Sequence, residues 1–370
     1  MNRIAGRKTR IIKIGNIRIG GNNPIAIQSM AKTMTADVEK TAKQIKELER
    51  AGCEIVRLAI KDERDAKAIK QIKNNVNLPI VADIHFNWRL AIAAIDSGAD
   101  KLRLNPGNIY KKQEVREIVS ALKNAKIPLR IGLNSGSVKD LKSKKANMVD
   151  RLVGNCLDYL KMIEGFNFYD IVISLKASSV EDTVEAYRKI AGLCDYPLHL
   201  GVTATGLPYA GAIKSSIALG VLLMEGIGDT IRVSLTDKPQ QEVKAAKAIL
   251  EALGLRSFGP EIISCPTCGR CEVDLVKIVK ELEQKLSTVN CQLLTRQPKV
   301  AVMGCVVNGP GEARDADVGI AFGKKEGLLF KDGKPVRKVP FINCTGVLLK
   351  EVEKTNGSER KNKADFSFSA

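Results

Sequence analysis

The sequence predicts an α/β fold, a (β/α)8 TIM barrel followed by a smaller α+β domain. Eight short apolar runs recur between residues 24 and 235, amphipathic segments separate them, and the pattern changes after residue 254. Near-continuous apolar runs are typical of parallel strands that are buried on both faces. Eight strand–helix units are the number that closes a barrel, although a doubly wound open sheet is the alternative that this count leaves open. We therefore expect a barrel over residues 1–254.

The predicted elements follow one another in a regular order. The predicted strands are residues 24–30, 54–60, 79–85, 101–106, 128–134, 170–176, 197–203 and 229–235. Between them apolar residues recur at helical spacing, so that the segment 38–48 has one apolar face. That face consists of Val38, Ala42, Ile45 and Leu48. The opening segment 11–21 predicts a hairpin at the bottom of the barrel.

The second domain has a different pattern. A cysteine-rich segment leads into a predicted helix at 273–286, and a predicted strand at 299–303 leads into a Gly-rich segment. A further β stretch and a final helix at 347–352 follow, which predicts a small α+β domain over residues 255–356. The polar tail 357–370 is expected to be disordered.

The composition is that of a folded, basic protein. Apolar residues make up 44% and charged residues 27% of the chain, which are globular values. The net charge of +18 indicates an anionic partner, which could be nucleic acid, a membrane surface, a phosphorylated substrate or an acidic protein. A Lys-rich surface that serves solubility is the alternative. The aromatic content of 4% argues against RNA readers that stack bases on aromatic platforms.

The ends and the cysteines indicate the compartment. The basic start of the chain does not resemble a secretory signal, and no stretch approaches the ~20 apolar residues of a membrane span. We therefore expect a cytoplasmic protein with no membrane partner. Nine cysteines in that compartment are expected to be thiols or metal ligands rather than disulfides.

Five of the eight predicted strands carry a cation inside an apolar run. These cations are Arg57, Arg103, Arg130, Lys176 and Arg232. A buried cation is costly unless it meets an anion, and residues near the carboxyl ends of barrel strands line the active-site mouth. The alternative is that each cation forms an ion pair with its own carboxylate inside the barrel and binds no ligand. Because arginine matches phosphate oxygens in bidentate geometry, we expect a diphosphate ligand.

Polar residues extend the same faces by the period-two alternation of strands. Asn105 lies two residues after one of these arginines, Asn134 four after another, and Ser234 two after a third. On the third strand Asp83 and His85 share one face, and we expect them to position substrate or to supply a proton. A core histidine is the alternative for His85, and His199, which lies in mid-strand, is expected to be structural.

The cysteine-rich segment predicts a metal centre. Cys265, Cys268 and Cys271 are spaced C-x2-C-x2-C, and Cys305 follows about thirty residues later. Such thiols suit a 4Fe–4S cluster or zinc. Zinc ribbons usually have a second C-x2-C pair in a separate segment of the chain; the absence of such a pair and the presence of Glu312 beside the Cys305 turn favour iron. The spacing allows two ligand sets. One consists of all four cysteines, and the other consists of Cys265, Cys268 and Cys305 with Glu312. The remaining cysteines (Cys53, Cys156, Cys194, Cys291 and Cys344) are expected to be packing residues.

The chain resembles the bacterial two-domain hydroxymethylbutenyl diphosphate synthases of the non-mevalonate isoprenoid pathway. The matching stretches are residues 81–86 (VADIHF), 103–108 (RLNPGN), 130–137 (RIGLNSGS), 226–235 (GIGDTIRVSL), 265–270 (CPTCGR) and 303–313 (MGCVVNGPGEA). They span nearly the whole chain in the family's order, and the last two together are highly specific.

The resemblance implies a barrel that binds methylerythritol cyclodiphosphate and a second domain that binds a 4Fe–4S cluster. The implied cluster ligands are Cys265, Cys268, Cys305 and Glu312. Because the family does not generally have cysteine at position 271, the resemblance disfavours the four-cysteine set. The implied substrate contacts are the five strand cations with Asn105, Asn134 and Ser234. A homodimer is also implied, in which one subunit's cluster domain caps the other's barrel, and the positive charge suits an acidic flavodoxin or ferredoxin as donor.

The chain departs from the family in two places. The family usually reads T-E-A-G after the seventh strand, whereas this chain has Ala204 in place of the glutamate, and position 32, often Asn, is Lys32. We expect reductive ring opening and dehydration of the cyclic diphosphate, with Glu312 yielding its iron site. The alternatives are a divergent paralogue that binds diphosphate with weak or no turnover, and a basic nucleic-acid-binding protein with a structural zinc module.

Overall fold

The chain divides into two units, Met1–Arg256 and Ser257–Ala370, in the computed structural model. The structure describes residues 6–138, 146–286, 298–307, 309–314 and 316–364, without the side chains of Pro310, Glu312 and 355–364. No helix in these ranges is both long enough and apolar enough to cross a membrane.

The first unit contains the eight predicted strands, preceded by two short ones. Its strands are β1 (Ile12–Ile14), β2 (Ile17–Ile19), β3 (Ala26–Met30), β4 (Ile55–Ile60), β5 (Ile80–Ile84), β6 (Lys101–Leu104), β7 (Leu129–Asn134), β8 (Ile171–Lys176), β9 (His199–Leu200) and β10 (Thr230–Ile231). The order β8-β7-β6-β5-β4-β3-β10-β9 is parallel throughout. A parallel bridge between Ile173 and Leu198 joins the two ends of that order. The predicted barrel is therefore confirmed and the open sheet is excluded.

A helix follows each barrel strand. The helices are α1 (Val38–Ala51), α2 (Glu63–Lys73), α3 (Trp88–Asp96), α4 (Lys112–Ala125), α5 (Met148–Glu164), α6 (Val180–Ala191), α7 (Pro208–Met224) and α8 (Pro239–Ala252). Helix α1 shows why they form: Asp37 accepts the backbone N–H of Lys40 as N-cap, and Gly52 ends the helix at a φ of 99°. Its inner face buries Ile45 and Leu48 completely.

The hairpin β1–β2 closes the amino-terminal end of the barrel. Its strands pair antiparallel, with Ile12 opposite Ile19. Buried isoleucines of the hairpin pack against Ala26, Ile55 and Val81 at the beginnings of barrel strands. Because the amino end is filled by apolar side chains, polar groups of the barrel interior lie toward the carboxyl ends of its strands.

The second unit is built on one five-stranded mixed sheet. Its strands are β11 (Glu261–Ser264), β12 (Lys299–Met303), β13 (Val318–Phe322), β14 (Glu326–Lys331) and β15 (Lys334–Pro340), in that spatial order. The pairs β11–β12 and β12–β13 are parallel and the other two are antiparallel. Its helices are α9 (Leu275–Leu286), α10 (Gly309–Glu312) and α11 (Cys344–Ala364).

Two apolar clusters hold this sheet. Leu282 of α9 and Leu348 of α11 pack with Val300, Val302 and Ile320 of the central strands. On the other face small residues such as Ala301, Ala313 and Ala321 form a second cluster. The final helix is longer than the predicted 347–352 and runs through the first part of the tail that was expected to be disordered; residues 365–370 lie outside the described residues.

Candidate active site

Six basic side chains lie on the barrel strands or directly after them and are largely buried. They are Arg57, Lys101, Arg103, Arg130, Lys176 and Arg232. Five of the six are the cations that the sequence singled out. Lys101 is additional, lies two residues before Arg103 on β6, and has no exposed surface. Period-two alternation places Lys101 and Arg103 on the same face of the strand.

Two buried carboxylates pair with some of these cations. Asp83 on β5 has one carboxylate oxygen 3.0 Å from Nη1 of Arg103 and the other 3.5 Å from Nε of Arg57. Glu242 on α8 lies 3.4 Å from Nη2 of Arg232. In the part of the chain that the structure describes, no carboxylate forms an ion pair with the remaining three cations, so the barrel interior holds an excess of positive charge.

Several buried nitrogen atoms of this cluster have no hydrogen-bond partner. They are Nζ of Lys101 and Lys176, Nε of Arg103, Arg130 and Arg232, Nε2 of Gln28 and Nε2 of His199. Arg130 makes one contact through Nη1, which donates to Oε1 of Gln28 at 3.3 Å. An unsatisfied buried donor costs ~1–3 kcal/mol. The lysine, arginine and glutamine nitrogens in this set are donors, and so many unsatisfied donors in one place favour an anionic ligand with several acceptor oxygens.

The pKa values of these groups are consistent with the excess of positive charge in the barrel interior. Burial lowers the pKa of Arg130 well below its usual value, and the charges of Arg57 and Arg103 lower it further. Burial and then neighbouring arginines do the same to the pKa of Lys176. Burial alone would raise the pKa of Asp83, but the nearby arginines, led by Arg103, lower it below its usual value. A bound polyanion would relieve the repulsion among the cations.

Glycines make room for two of the cations. A Cβ on Gly132 would lie 2.5 Å from Nε of Arg103, whose Nη2 donates to the Gly132 carbonyl at 2.8 Å. A Cβ on Gly201 would lie 2.6 Å from Nζ of Lys176. Both glycines are therefore needed for the arrangement of the cations.

The predicted polar residues follow the ends of their strands. Asn105 is buried just after β6 and accepts the backbone N–H of Gly107 at 3.0 Å, whereas Asn134 ends β7 and is half-buried. Ser234 lies beyond β10, half-buried, and its carbonyl accepts the hydroxyl of Thr205. His85 is half-buried after β5 and is close enough to Asp83 for its charge to lower that pKa.

The barrel interior also holds polar residues that the sequence reasoning did not select. Gln28, Lys101 and Glu242 are buried there, and the spacing of Lys101 from Arg103 is the one signal that would have found it. His199 is fully buried, with Nδ1 2.8 Å from Oγ1 of Thr230. Burial, and then the charges of Arg130 and the lysines, lower the pKa of His199 well below its usual value, so this histidine is neutral.

Lys32 and Ala204, the two positions where the resemblance implies a departure from the family, lie near the segment that follows β10. Lys32 donates through Nζ to the carbonyl of Leu235 at 2.7 Å and to that of Asp237, and it pairs with Glu242 at 3.2 Å. Ala204 is exposed and has a φ of 53°, an uncommon conformation for a residue with a Cβ. Lys32 therefore holds the segment after β10, whereas position 204 is open to a longer side chain.

The predicted metal ligands lie on two neighbouring loops of the second unit. Cys265 directly follows β11 and Cys305 follows β12, its parallel neighbour. The backbone N–H of Gly304 donates to Sγ of Cys265 at 3.2 Å. Cys268 is exposed, and hydrogen bonds from the backbone and then the side chain of Arg270 lower its pKa. These are conditions that stabilise thiolates, as iron or zinc ligation requires.

The placement of the other candidate ligands is mixed. Glu312 ends α10, but its side chain lies outside the described part of the structure. Within that part, no three Cys, His, Asp or Glu side chains are close enough together to hold a metal ion. The residues fit a cluster by donor type and by their position on adjacent loops. Of the expected packing cysteines, Cys53, Cys156 and Cys344 are buried and Cys194 is half-buried, whereas Cys291 lies outside the described residues.

Comparison with known proteins covers both units. The family model described as the GcpE TIM-barrel domain matches residues 9–247, and that of the GcpE protein C-terminal domain matches residues 261–354. The chain is 52% identical to the 4-hydroxy-3-methylbut-2-en-1-yl diphosphate synthase (flavodoxin) of Fusobacterium nucleatum, over 97% of this chain and 99% of that protein. It is also 52% identical to the enzyme of the same name from Caldanaerobacter subterraneus, over 94% and 97% of the two chains.

A solved structure has a similar fold. The dihydropteroate synthase of Stenotrophomonas maltophilia superposes with a TM-score of 0.50 at 13% identity, over 67% of this chain and all of that one. At this identity the likeness shows the fold alone.

Proposed function

The chain belongs to the GcpE family, and on that premise we propose how its residues act. It catalyses the reductive ring opening and dehydration of 2-C-methyl-D-erythritol 2,4-cyclodiphosphate to 4-hydroxy-3-methylbut-2-enyl diphosphate, a step of isoprenoid biosynthesis. It is an iron–sulfur oxidoreductase. The observation that supports this assignment most strongly is the excess of buried, unpaired cations in the barrel, which suits a substrate with two linked phosphoryl groups.

The buried cations bind the diphosphate. Arg57, Arg103, Arg130, Lys176 and Arg232 contact phosphate oxygens, with Asn105, Asn134 and Ser234 orienting the rest of the substrate. Their nitrogens that now lack a partner find one in those oxygens. Because the cations are already fixed by burial, little side-chain entropy is lost on binding. The diphosphate remains attached to the product, so the same contacts hold the molecule throughout the reaction.

Asp83 and His85 have different roles in this proposal. Asp83 is held as a carboxylate by Arg57 and Arg103, so it accepts hydrogen bonds and positions those two guanidinium groups. A carboxylate with a lowered pKa is a poor proton donor at neutral pH. His85, half-buried at the end of β5, is the residue that supplies the proton for the hydroxyl that leaves as water.

The second unit holds the cofactor. Cys265, Cys268, Cys305 and Glu312 would hold a 4Fe–4S cluster, and Glu312 would be its one oxygen ligand and the most easily displaced of the four. When bound, such a cluster supplies single electrons and a Lewis-acidic iron. The N–H of Gly304 that faces Cys265 stabilises the thiolate charge of that ligand.

The electron donor is a flavodoxin, since the relatives' names carry that word. An acidic flavodoxin suits a chain with a net charge of +18 through electrostatic steering, and an acidic ferredoxin is the second candidate. We propose further that the protein acts as a homodimer in the cytoplasm.

Anoxically purified protein is expected to be brown and to carry about four iron atoms and four sulfides per chain. Cys305→Ser should lose most of this iron, because one ligand of the cluster is removed, whereas Cys344→Ser, which changes a buried thiol of the same unit, should keep it. Metal analysis and the visible absorption spectrum measure the effect. Colourless protein loaded with zinc would favour the nucleic-acid-binding alternative.

Cluster-loaded protein is expected to convert the cyclic diphosphate with a chemical reductant. Ala204→Glu should raise kcat, because it restores the carboxylate that the family usually has at this position. It should change KM little, because position 204 is exposed and lies outside the buried cation cluster. Steady-state kinetics of the two proteins give both constants. Binding without turnover in the wild-type protein, with turnover restored by the glutamate, would identify the chain as the divergent paralogue.

A further inference from the structure

Cys271 is a thiol of the cluster segment that the proposed ligand set does not use. Its backbone N–H donates to the carbonyl of Cys268 at 2.9 Å, so the segment between them forms a tight turn. Its Sγ lies 3.2 Å from the carbonyl of Val273. The side chain is half-buried against the apolar cluster of the second unit, which fixes where the sulfur points.

The sulfur of Cys271 lies close to that of Cys265. The position that a Cβ on Gly304 would occupy is 2.4 Å from Sγ of Cys271 and 3.5 Å from Sγ of Cys265, so the two sulfurs are at most about 6 Å apart. Both cysteines also pack against the same apolar cluster. The absence of a side chain on Gly304 is what lets the two thiols approach from the same side.

Cys268 is the competing partner, since it forms a second C-x2-C pair with Cys271. The structure argues against it, because Cys268 is exposed, whereas Cys271 is half-buried and turned toward Gly304 and Cys265. The sulfur neighbours in space are therefore Cys265 and Cys271, which are six residues apart in sequence.

We propose that Cys265 and Cys271 form a disulfide whenever Cys265 does not ligate iron. The oxidant is a small-molecule disulfide. One thiolate attacks it and releases one small thiol, and the second thiolate then attacks the mixed disulfide and releases the other. In total the two cysteine thiols lose two electrons and two protons, which convert the small disulfide into two thiols.

The disulfide would protect a ligand that the cluster needs. A thiol oxidised to the sulfinic or sulfonic acid is lost for ligation, whereas a disulfide is restored by thiol reductants. This consequence rests on the proposed function, because it takes Cys265 as an iron ligand. The pairing itself rests only on the positions of the two sulfurs.

The test uses full-length, cluster-free protein treated with oxidised glutathione, alkylated and digested with trypsin. Cleavage after Arg256, Arg270 and Lys277 puts Cys265 on the peptide 257–270 and Cys271 on the peptide 271–277. We expect the two peptides to be linked, with fragmentation placing the bond on Cys265. The link should persist in Cys268→Ser, be lost in Cys271→Ser and disappear on reduction with dithiothreitol.

Two results would overturn the pairing: a link to Cys268 instead of Cys265, or a Cys271 that is recovered alkylated or carrying glutathione alone. Iron reconstitution after exposure to hydrogen peroxide, which can oxidise a thiol as far as the sulfonic acid, and subsequent reduction with dithiothreitol gives a second readout. Wild-type protein should recover its iron content, whereas Cys271→Ser should retain less and show more sulfonic acid at Cys265. A linked peptide from iron-loaded protein would support the pairing and count against Cys265 as a ligand, so the two proposals fail separately.

Discussion

Replacing Arg130 with methionine is expected to raise the thermal stability of the barrel while weakening binding of the cyclic diphosphate by about 10- to 150-fold. Arg130 is 1% exposed and forms no ion pair with a carboxylate in the described part of the chain. Replacing even a buried ion pair with apolar side chains of similar volume is often neutral or stabilises by about 1–4 kcal/mol, and Arg130 lacks the partner that would offset the desolvation of its charge. A charged hydrogen bond to the ligand is worth about 1.5–3 kcal/mol, and each 1.4 kcal/mol is a factor of ten in affinity.

Scanning calorimetry measures the change in thermal stability, and titration calorimetry with the cyclic diphosphate measures the change in affinity. Arg64→Met is the matched control, because Arg64 is exposed and paired with Asp62 on the surface; it should leave affinity unchanged. Opposite signs for stability and affinity are characteristic of a residue that is kept for a ligand rather than for the fold. A destabilised Arg130→Met protein with unchanged affinity would mean that Arg130 serves the barrel alone.

Asp83→Asn is expected to have the opposite effect on stability. Asp83 is the carboxylate shared by Arg57 and Arg103, and removing its charge leaves two buried guanidinium groups unpaired. Breaking a buried pair from one side typically costs about 3–5 kcal/mol. Affinity should also fall, because both arginines lose the group that positions them.

The pH dependence of this effect follows from the lowered pKa of Asp83. A carboxylate whose pKa is lower in the folded protein contributes stability that is complete above its unfolded value of about 3.9 and is lost as the pH falls below it. The difference in unfolding temperature between wild type and Asp83→Asn should therefore be largest near neutral pH and shrink on acidification. Asp96→Asn, at an exposed position, is the control. A difference that stays constant with pH would rule out the carboxylate charge as its source.

The barrel could be predicted from sequence because its signal is local and repeated. Each apolar run has the length of a strand, and each segment between two runs has apolar residues at helical spacing. The same strand–helix pattern is therefore repeated eight times. The last two strands are shorter than predicted, two residues each. Gly201 directly follows β9, where the chain passes close to Lys176, and such a close approach has no signature in an apolar run.

The buried cations could be found because charge inside an apolar run is unusual, but their partners could not. Glu242 lies in the first turn of α8, where acidic residues are common for helix-capping reasons. Only the packing of α8 against the barrel brings it within 3.0 Å of the Ser29 hydroxyl and makes it an interior residue. Likewise, spacing showed Cys271 as a possible ligand but could not show that its sulfur lies beside Cys265.

The most direct test of the cationic cluster is diffraction from anoxically grown crystals of the protein with the cyclic diphosphate. The phosphoryl oxygens are expected within about 2.7–3.2 Å of nitrogens of Arg57, Arg103, Arg130, Lys176 and Arg232. A substrate bound with its phosphoryl groups elsewhere, and these five side chains still without anionic contacts, would contradict the assignment.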